Sequence, residues 1–322
     1  MTIVIPVSPD ATRQAASCLR DGGLVAIPTE TVYGLAADAT NGPAVAHIFE
    51  AKGRPRFNPL ICHVDSFAMA AAIVTFDPVA ERLATAFWPG ALTLVLPARS
   101  GSDIHPLVSG GLPTLAVRSP RGIALDLIAE LGRPVAAPSA NPSGRVSPTT
   151  AEHVRRGLDG RIDMILDGGP CPMGLESTIV KPAGDHLLLL RAGAVAVEDI
   201  EAAAGLPVVR VAPGAAVQAP GQLASHYAPA GLVRLDVQFV EPGEHLIAFG
   251  PDPIEGQDAA AAVINLSPTG DLREAAATLF SALTAFDRPE VIRIAVAPVP
   301  SHGLGEAIND RLHRAAAPRD SR

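Results

Sequence analysis

Along the first two-thirds of the chain, short apolar runs alternate with segments of helical period. Leu24-Val25-Ala26-Ile27, Leu60-Ile61-Cys62 and Leu92 to Leu96 read as buried strands, and Thr114 to Val117, Pro134 to Ala137 and Met164 to Leu166 continue the series. Between them Pro43 to Ala51, Asp77 to Ala86, Ile123 to Leu131 and Thr149 to Gly157 fit helices, the last with Ser147-Pro148-Thr149 as its start signal. This alternation predicts an α/β domain over residues 1–205. Residues 206–230 are rich in Pro, Gly and Ala, hold no sustained period, and read as a linker. Beyond it Leu232 to Leu235, His245 to Ala248, Ala262 to Leu266 and Val291 to Val296 read as strands. Leu272 to Phe286 and Leu304 to Ala316 read as helices, so residues 231–322 form a second, smaller α/β domain. Neither internal repeats nor low-complexity tracts interrupt the pattern.

Composition narrows what such a chain can do. With 322 residues, 48% apolar and 18% charged, it is a folded globular protein large enough for more than one core. A net charge of −8 argues against coating nucleic acid, which needs a broad surplus of Lys and Arg. No apolar run is long enough to cross a bilayer and the first residues lack a leader pattern, so a cytoplasmic protein without membrane contact is expected. Cys18, Cys62 and Cys171 form no metal or disulfide pattern and are expected as buried thiols. The basic residues are almost all arginine; the exceptions are Lys52 and Lys181, and a lysine kept in such a chain suggests that a compact ammonium is needed there.

Three segments carry candidate chemistry. Pro28-Thr29-Glu30-Thr31-Val32-Tyr33-Gly34-Leu35 follows a buried strand, where open α/β sheets place ligands, and its hydroxyls and carboxylate can orient a small polar molecule or simply brace a turn. Lys52-Gly53-Arg54-Pro55-Arg56-Phe57-Asn58-Pro59 sets three cations at the end of a helix, suited to a triphosphate or to a solvated basic loop. Ala137 to Thr149 leaves a strand as a small-residue loop and leads to a helix, offering backbone N–H groups and hydroxyls to phosphate oxygens, or only a capped connection. Arg118 and Arg191, each at the end of an apolar run, can bind a carboxylate or phosphate or cap a strand. A G-x-x-x-x-G-K-[ST] loop is absent, which excludes the usual P-loop ATPase.

Lys52-x-Arg54 followed by Ser139-x-Asn141, together with PTETVYGL, FWPGALTLVLP at Phe87 to Pro97, GLESTIV at Gly174 to Val180 and LLRAG at Leu189 to Gly193, resembles the YrdC family in residue type and order. APGQLASHYAP, Ala219 to Pro229, resembles the linker of its long form, although Gln222 stands where that form usually has Met. The resemblance implies a YrdC-like twisted-sheet domain with helices, joined by the linker to a Rossmann-like C-terminal domain. It also implies synthesis of threonylcarbamoyl-AMP from L-threonine, bicarbonate and ATP, for N6-threonylcarbamoyladenosine in tRNA.

By motif, Thr31, His63, Arg118 and Ser177 would contact threonine. Lys52, Arg54, Asn58, Thr114, Ser139, Ser147 and Arg191 would contact ATP, Asn141 would support the site, and Tyr227 would reach in from the linker. Lys52, Arg54, Ser139 and Asn141 form the catalytic signature. Mg2+ accompanying ATP and a downstream tRNA threonylcarbamoyl-transfer enzyme are implied too, and weak tRNA contact is left open. No protein nucleophile is needed, so catalysis would rest on positioning and charge neutralisation, with the linker closing over a labile carbamate. The alternatives are an RNA-binding module and a homologue that keeps the fold without adenylate synthesis.

Overall fold

A computed structural model describes residues 1–212, 216–222 and 227–318. In chain order the strands are β1 (Ile3–Pro6), β2 (Val25–Ile27), β3 (Gly34–Asp38), β4 (Ile61–His63), β5 (Leu92–Pro97), β6 (Thr114–Arg118), β7 (Val135–Ala136), β8 (Met164–Asp167), β9 (Thr178–Pro182), β10 (Leu187–Arg191), β11 (Val208–Arg210), β12 (Leu232–Arg234), β13 (His245–Ala248), β14 (Ala262–Asn265) and β15 (Arg293–Val296). The helices are α1 (Pro9–Arg20), α2 (Gly42–Lys52), α3 (Phe67–Ile73), α4 (Pro78–Phe87), α5 (Pro106–Ser109), α6 (Ile123–Leu131), α7 (Ala151–Leu158), α8 (Val197–Ala204), α9 (Leu272–Ala285) and α10 (Leu304–Ala316).

Among the described residues, β1 to β11 form one mixed sheet ordered β1-β8-β2-β3-β7-β4-β6-β5-β9-β10-β11. The last four strands form a separate parallel sheet ordered β12-β15-β13-β14. The sheet edges hold the principal departures from the sequence expectation. Val208 to Arg210, read as linker, is a strand paired in parallel with β10. Helix α7 starts with Thr150 as its cap, accepting from the His153 amide at 3.2 Å, because Ser147 spends its hydroxyl elsewhere. Cys62 and Cys171 are buried as expected, but Cys18 is only half-buried. Among the described residues no helix is long and apolar enough to cross a membrane.

The second unit packs its two helices onto the first. Leu279, Phe280 and Leu283 of α9 share one apolar cluster with Val32, Val146, Leu175 and Tyr227. Thr149 and Ser281 meet hydroxyl to hydroxyl at 3.0 Å, and Arg210 forks onto Glu306 at 2.6 and 2.7 Å. Gly174 explains itself here. Its φ is +68°, and a Cβ there would lie 2.5 Å from the carbonyl oxygen of Ala276 and the Cα of Ala277, so only glycine lets the helix backbone come this close. Gly174→Ala should therefore destabilise the chain by about 2–4 kcal/mol. Denaturant unfolding of wild type and variant checks this, and equal midpoints would show that the interface is looser than described.

Candidate active site

The hairpin β2–β3 carries the segment 28–33 at its tip, and the loop after β7 runs beside it. Leu35 donates to the Pro138 carbonyl at 2.7 Å and Ala140 to that of Tyr33 at 2.8 Å, which brings Ser139 against Gly34. His63 and Arg118 end the neighbouring parallel strands β4 and β6 in direct register. Glu176 and Ser177 lead into β9, and Arg191 closes its antiparallel partner β10, so both arrive at the same place. The short cavity between them is lined by Thr31, Arg54, His63, Arg118, Ser139, Ser177, Arg191 and Tyr227, all expected from the sequence, by Thr29 of the Pro28 to Leu35 segment, and by Glu176, Pro220 and Gly221, which no single-residue assignment covered.

Apart from Arg54, whose contacts reach both the cavity and the loop behind it, the other expected residues stand one step back. Lys52 reaches the carbonyls of Ser139, at 2.6 Å, and Asn141. Arg54 donates to the carbonyls of Asn58 at 3.2 Å and Pro59 at 2.8 Å. The Asn141 side-chain amide holds the loop closed through the carbonyls of Pro142 at 3.0 Å and Arg145 at 2.8 Å. Ser147 donates to Glu176 Oε1 at 2.6 Å. Thr114 is the most distant. It opens β6 while Arg118 ends it, so the two share a face of the sheet but stand about 13 Å apart at 3.3 Å per residue.

Buried charge dominates the electrostatics. Lys52, Arg54, Arg118 and Arg191 are each at most 8% exposed. Burial, with Arg54 nearby, pulls the Lys52 ammonium well below its ordinary value, and burial brings the Arg54 guanidinium down to about 10. His63, buried beside Arg118, is pushed down to about 3 and stays neutral, with Nδ1 left without a partner. Arg118 donates to Thr31 Oγ1 and the Gly90 carbonyl, both at 2.9 Å, and lies in ionic contact with Glu30 at 2.8 Å. That contact lacks hydrogen-bond alignment, so Arg118 Nη2 and Glu30 Oε1 keep unused bonding capacity. Arg191 grips the Ser177 carbonyl through Nε and Nη2 at 3.1 and 2.9 Å and its hydroxyl at 3.1 Å, while Ser177 also meets Thr93 at 2.7 Å.

Linker residues Pro220, Gly221 and Tyr227 roof the cavity. Ala219 is fully buried on the sheet face formed by Ile61, Val95, Ala116, Ile179 and Leu190, the same face that runs from Thr114 to Arg118. Lys181 holds Gln218 Oε1 at 2.7 Å, and Gln222 Oε1 accepts from the amides of Gln218 and Ala219 at 2.7 and 3.0 Å, which gives the unusual glutamine a local packing role. The remaining cavity is about 40 Å3, room for a few water molecules and not for an amino acid. Linker residues 213–215 and 223–226, the last of them His226 of the HYAP segment, lie outside the described residues.

Sequence relationships agree with this geometry. Residues 17–193 match the Sua5, YciO and YrdC model, described as telomere recombination. The chain belongs to the Sua5/YciO/YrdC family. Residues 195–317 match the model described as the threonylcarbamoyl-AMP synthase C-terminal domain, which marks the family's two-unit form. Threonylcarbamoyl-AMP synthase of Bacillus subtilis (strain 168) is 42% identical over 95% of this chain and 93% of its own length. That of Pyrococcus abyssi is 41% identical over 98% of both. The crystal structure of P. abyssi Sua5 complexed with L-threonine superposes with a TM-score of 0.87 at 39% identity, covering 98% of this chain and 97% of that one.

A cation cluster of this kind should bind polyphosphate. Arg54→Ala is expected to weaken pyrophosphate binding about 100-fold, the scale of one lost buried charged contact. The wild-type affinity should fall as pH rises toward lysine's ordinary 10.5, because Lys52, with its proton held weakly, loses its charge before a free lysine would. Calorimetric titrations across pH check both expectations, and a pH dependence unchanged in Lys52→Ala would remove Lys52 from the cradle.

Proposed function

We propose that this chain is a threonylcarbamoyl-AMP synthase, and the observation that carries the reading is the convergence of three buried arginines, Arg54, Arg118 and Arg191, on a cavity that also holds a neutral histidine and the hydroxyls of Thr31, Ser139 and Ser177, with Lys52 buried just behind it. Threonine sits at the Arg118 end, its carboxylate on the unused capacity of Arg118, its other groups near Thr31, His63 and Ser177. ATP runs along the sheet face toward Asn58 and Thr114. Lys52, Arg54 and Arg191 draw charge from its phosphates, Ser139 and Ser147 fix oxygens, Asn141 keeps the loop in shape, and Tyr227 closes the site. Bicarbonate and the threonine amine give a carbamate and water. A carbamate oxygen then attacks the α-phosphorus, and the bond to the β-phosphate oxygen breaks to release pyrophosphate. The buried guanidinium groups stabilise the charge that builds on the leaving group.

Among the described residues no three His, Cys, Asp or Glu side chains could jointly hold a metal, and both oxygens of Glu176 are taken, by Ser147 and Arg311. Magnesium therefore enters as magnesium-ATP, carried by phosphates and water. The linker must lift for the substrates to enter and then close to keep water from the carbamate. The adenylate passes to a tRNA threonylcarbamoyl-transfer enzyme in the cytoplasm.

Pyrophosphate release should need ATP, threonine and bicarbonate together, since the attacking group is the carbamate. Omitting each in turn in CO2-free buffer is the test, and undiminished turnover without bicarbonate would rule out this reaction.

A further inference from the structure

One charged side chain directly behind the site comes from the far end of the chain. Arg311 lies on α10 in the second unit, yet it is fully buried. Helix α10 buries Gly305, Ala307, Ile308, Arg311, Leu312 and Ala315, so the arginine occupies a position in an otherwise apolar stripe. A buried arginine is costly unless every donor is engaged. Here Nε donates to Glu176 Oε2 at 2.9 Å, Nη2 donates to the Ala192 carbonyl at 2.8 Å, and Nη1 pairs with Asp310. The guanidinium carbon also stands 5.1 Å from the centre of the Tyr227 ring, which stacks on Phe280 of α9 with centroids 5.4 Å apart.

These partners are cavity residues. Glu176 and Tyr227 both line it, and Glu176 passes the contact on through its second oxygen to Ser147. Burial would raise the Glu176 carboxyl, but Arg311 first, then Arg191 and the Ser147 hydroxyl, bring it down to about 2. It is therefore a fixed anion, able to accept from Ser147 and to hold the segment that presents Ser177 to Arg191.

We infer that Arg311 is a positioning residue of the active site: the second unit completes the cavity by holding Glu176 ionised against Ser147 and by clamping the Tyr227 ring, although Arg311 itself touches no substrate. The inference rests on the synthase reading above. Without Arg311, Glu176 keeps the burial that raises its carboxyl and loses the strongest influence that lowers it. Its proton uptake then moves toward neutral pH, Ser147 loses a fixed acceptor, and the Tyr227 ring loses one of the groups packed on it.

The test uses the full chain, with wild-type pyrophosphate release as its control, so that an inactive wild type would count against the synthase reading and not against this inference. Arg311→Met should lower kcat at least about 30-fold with a smaller change in KM for threonine. The acid limb of its pH–rate profile should move upward, and Arg311→Lys should recover part of the rate. Glu176→Gln should lose turnover and, because buried Arg311 then lacks that counter-charge, some thermal stability as well. Arg311→Met with Glu176→Gln should recover thermal stability, since no carboxylate is left unpaired, while remaining slow. Amide exchange at Tyr227 and Ala228 should speed up in Arg311→Met even without substrates, a readout that does not depend on turnover. The inference is overturned if Arg311→Met keeps near-normal kcat and an unmoved acid limb. It is equally overturned if the double variant regains both stability and turnover. Should Arg311→Met fail to fold, full activity in Glu176→Gln would refute it alone.

Discussion

Everything in this molecule is arranged around positive charge held away from water. Lys52, Arg54, Arg118, Arg191 and Arg311 are each at most 8% exposed, and the carboxylates that face them, Glu30, Glu176 and Asp310, are fewer. Desolvating so many cations is expensive, and the chain offsets part of the cost with main-chain carbonyls: those of Ser139 and Asn141 for Lys52, Asn58 and Pro59 for Arg54, Gly90 for Arg118, Ser177 for Arg191 and Ala192 for Arg311. The carbonyls partner the cations without cancelling their charge, so the cavity remains attractive to a polyanion. Loops ending β2, β4, β6, β7 and β10 must all stop at this place, which is why the site needs so large a sheet.

Much of this was legible along the chain. Buried strands announced themselves as short apolar runs, and Lys52 stood out because lysine is otherwise almost absent. Its predicted neighbours Ser139 and Asn141 do meet it, through their carbonyls and not their side chains, a distinction that residue type cannot convey. Ser147 read as a helix start because Ser-Pro-Thr is a good capping pattern; a buried carboxylate far along the sequence claimed its hydroxyl instead. β3 was hidden inside the PTETVYGL segment, since Gly34 begins the return strand of a hairpin, and β11 was hidden by its Pro- and Ala-rich surroundings. Glu176 and Arg311 were missed as site residues. Glu176 lay within the GLESTIV segment, and the signal for Arg311 was an arginine in the apolar stripe of the last helix, but an isolated charge in such a stripe acquires meaning only once its partner in the other unit is known.

The second unit is more than an appendage. Relatives named putative threonylcarbamoyl-AMP synthase in Mycobacterium tuberculosis match only 60% of this chain, yet that match covers 88% of their own length. In this chain Gly174 admits α9, Arg311 backs the site through Glu176, and the Tyr227 ring packs against Arg311 and Phe280, so the two units share one cluster of apolar side chains and one network of charges. Separating them would expose an apolar face and leave Glu176 buried without its main counter-charge.

The buried cations should take up a polyanion. Calorimetric melting of the full chain with and without millimolar magnesium-ATP tests it most directly. Binding to the folded state alone adds about 2.7 kcal/mol at a ligand concentration of 100 times Kd, which should raise the melting temperature by several degrees. The rise should shrink as salt is added. An unchanged melting temperature at saturating nucleotide would contradict the claim.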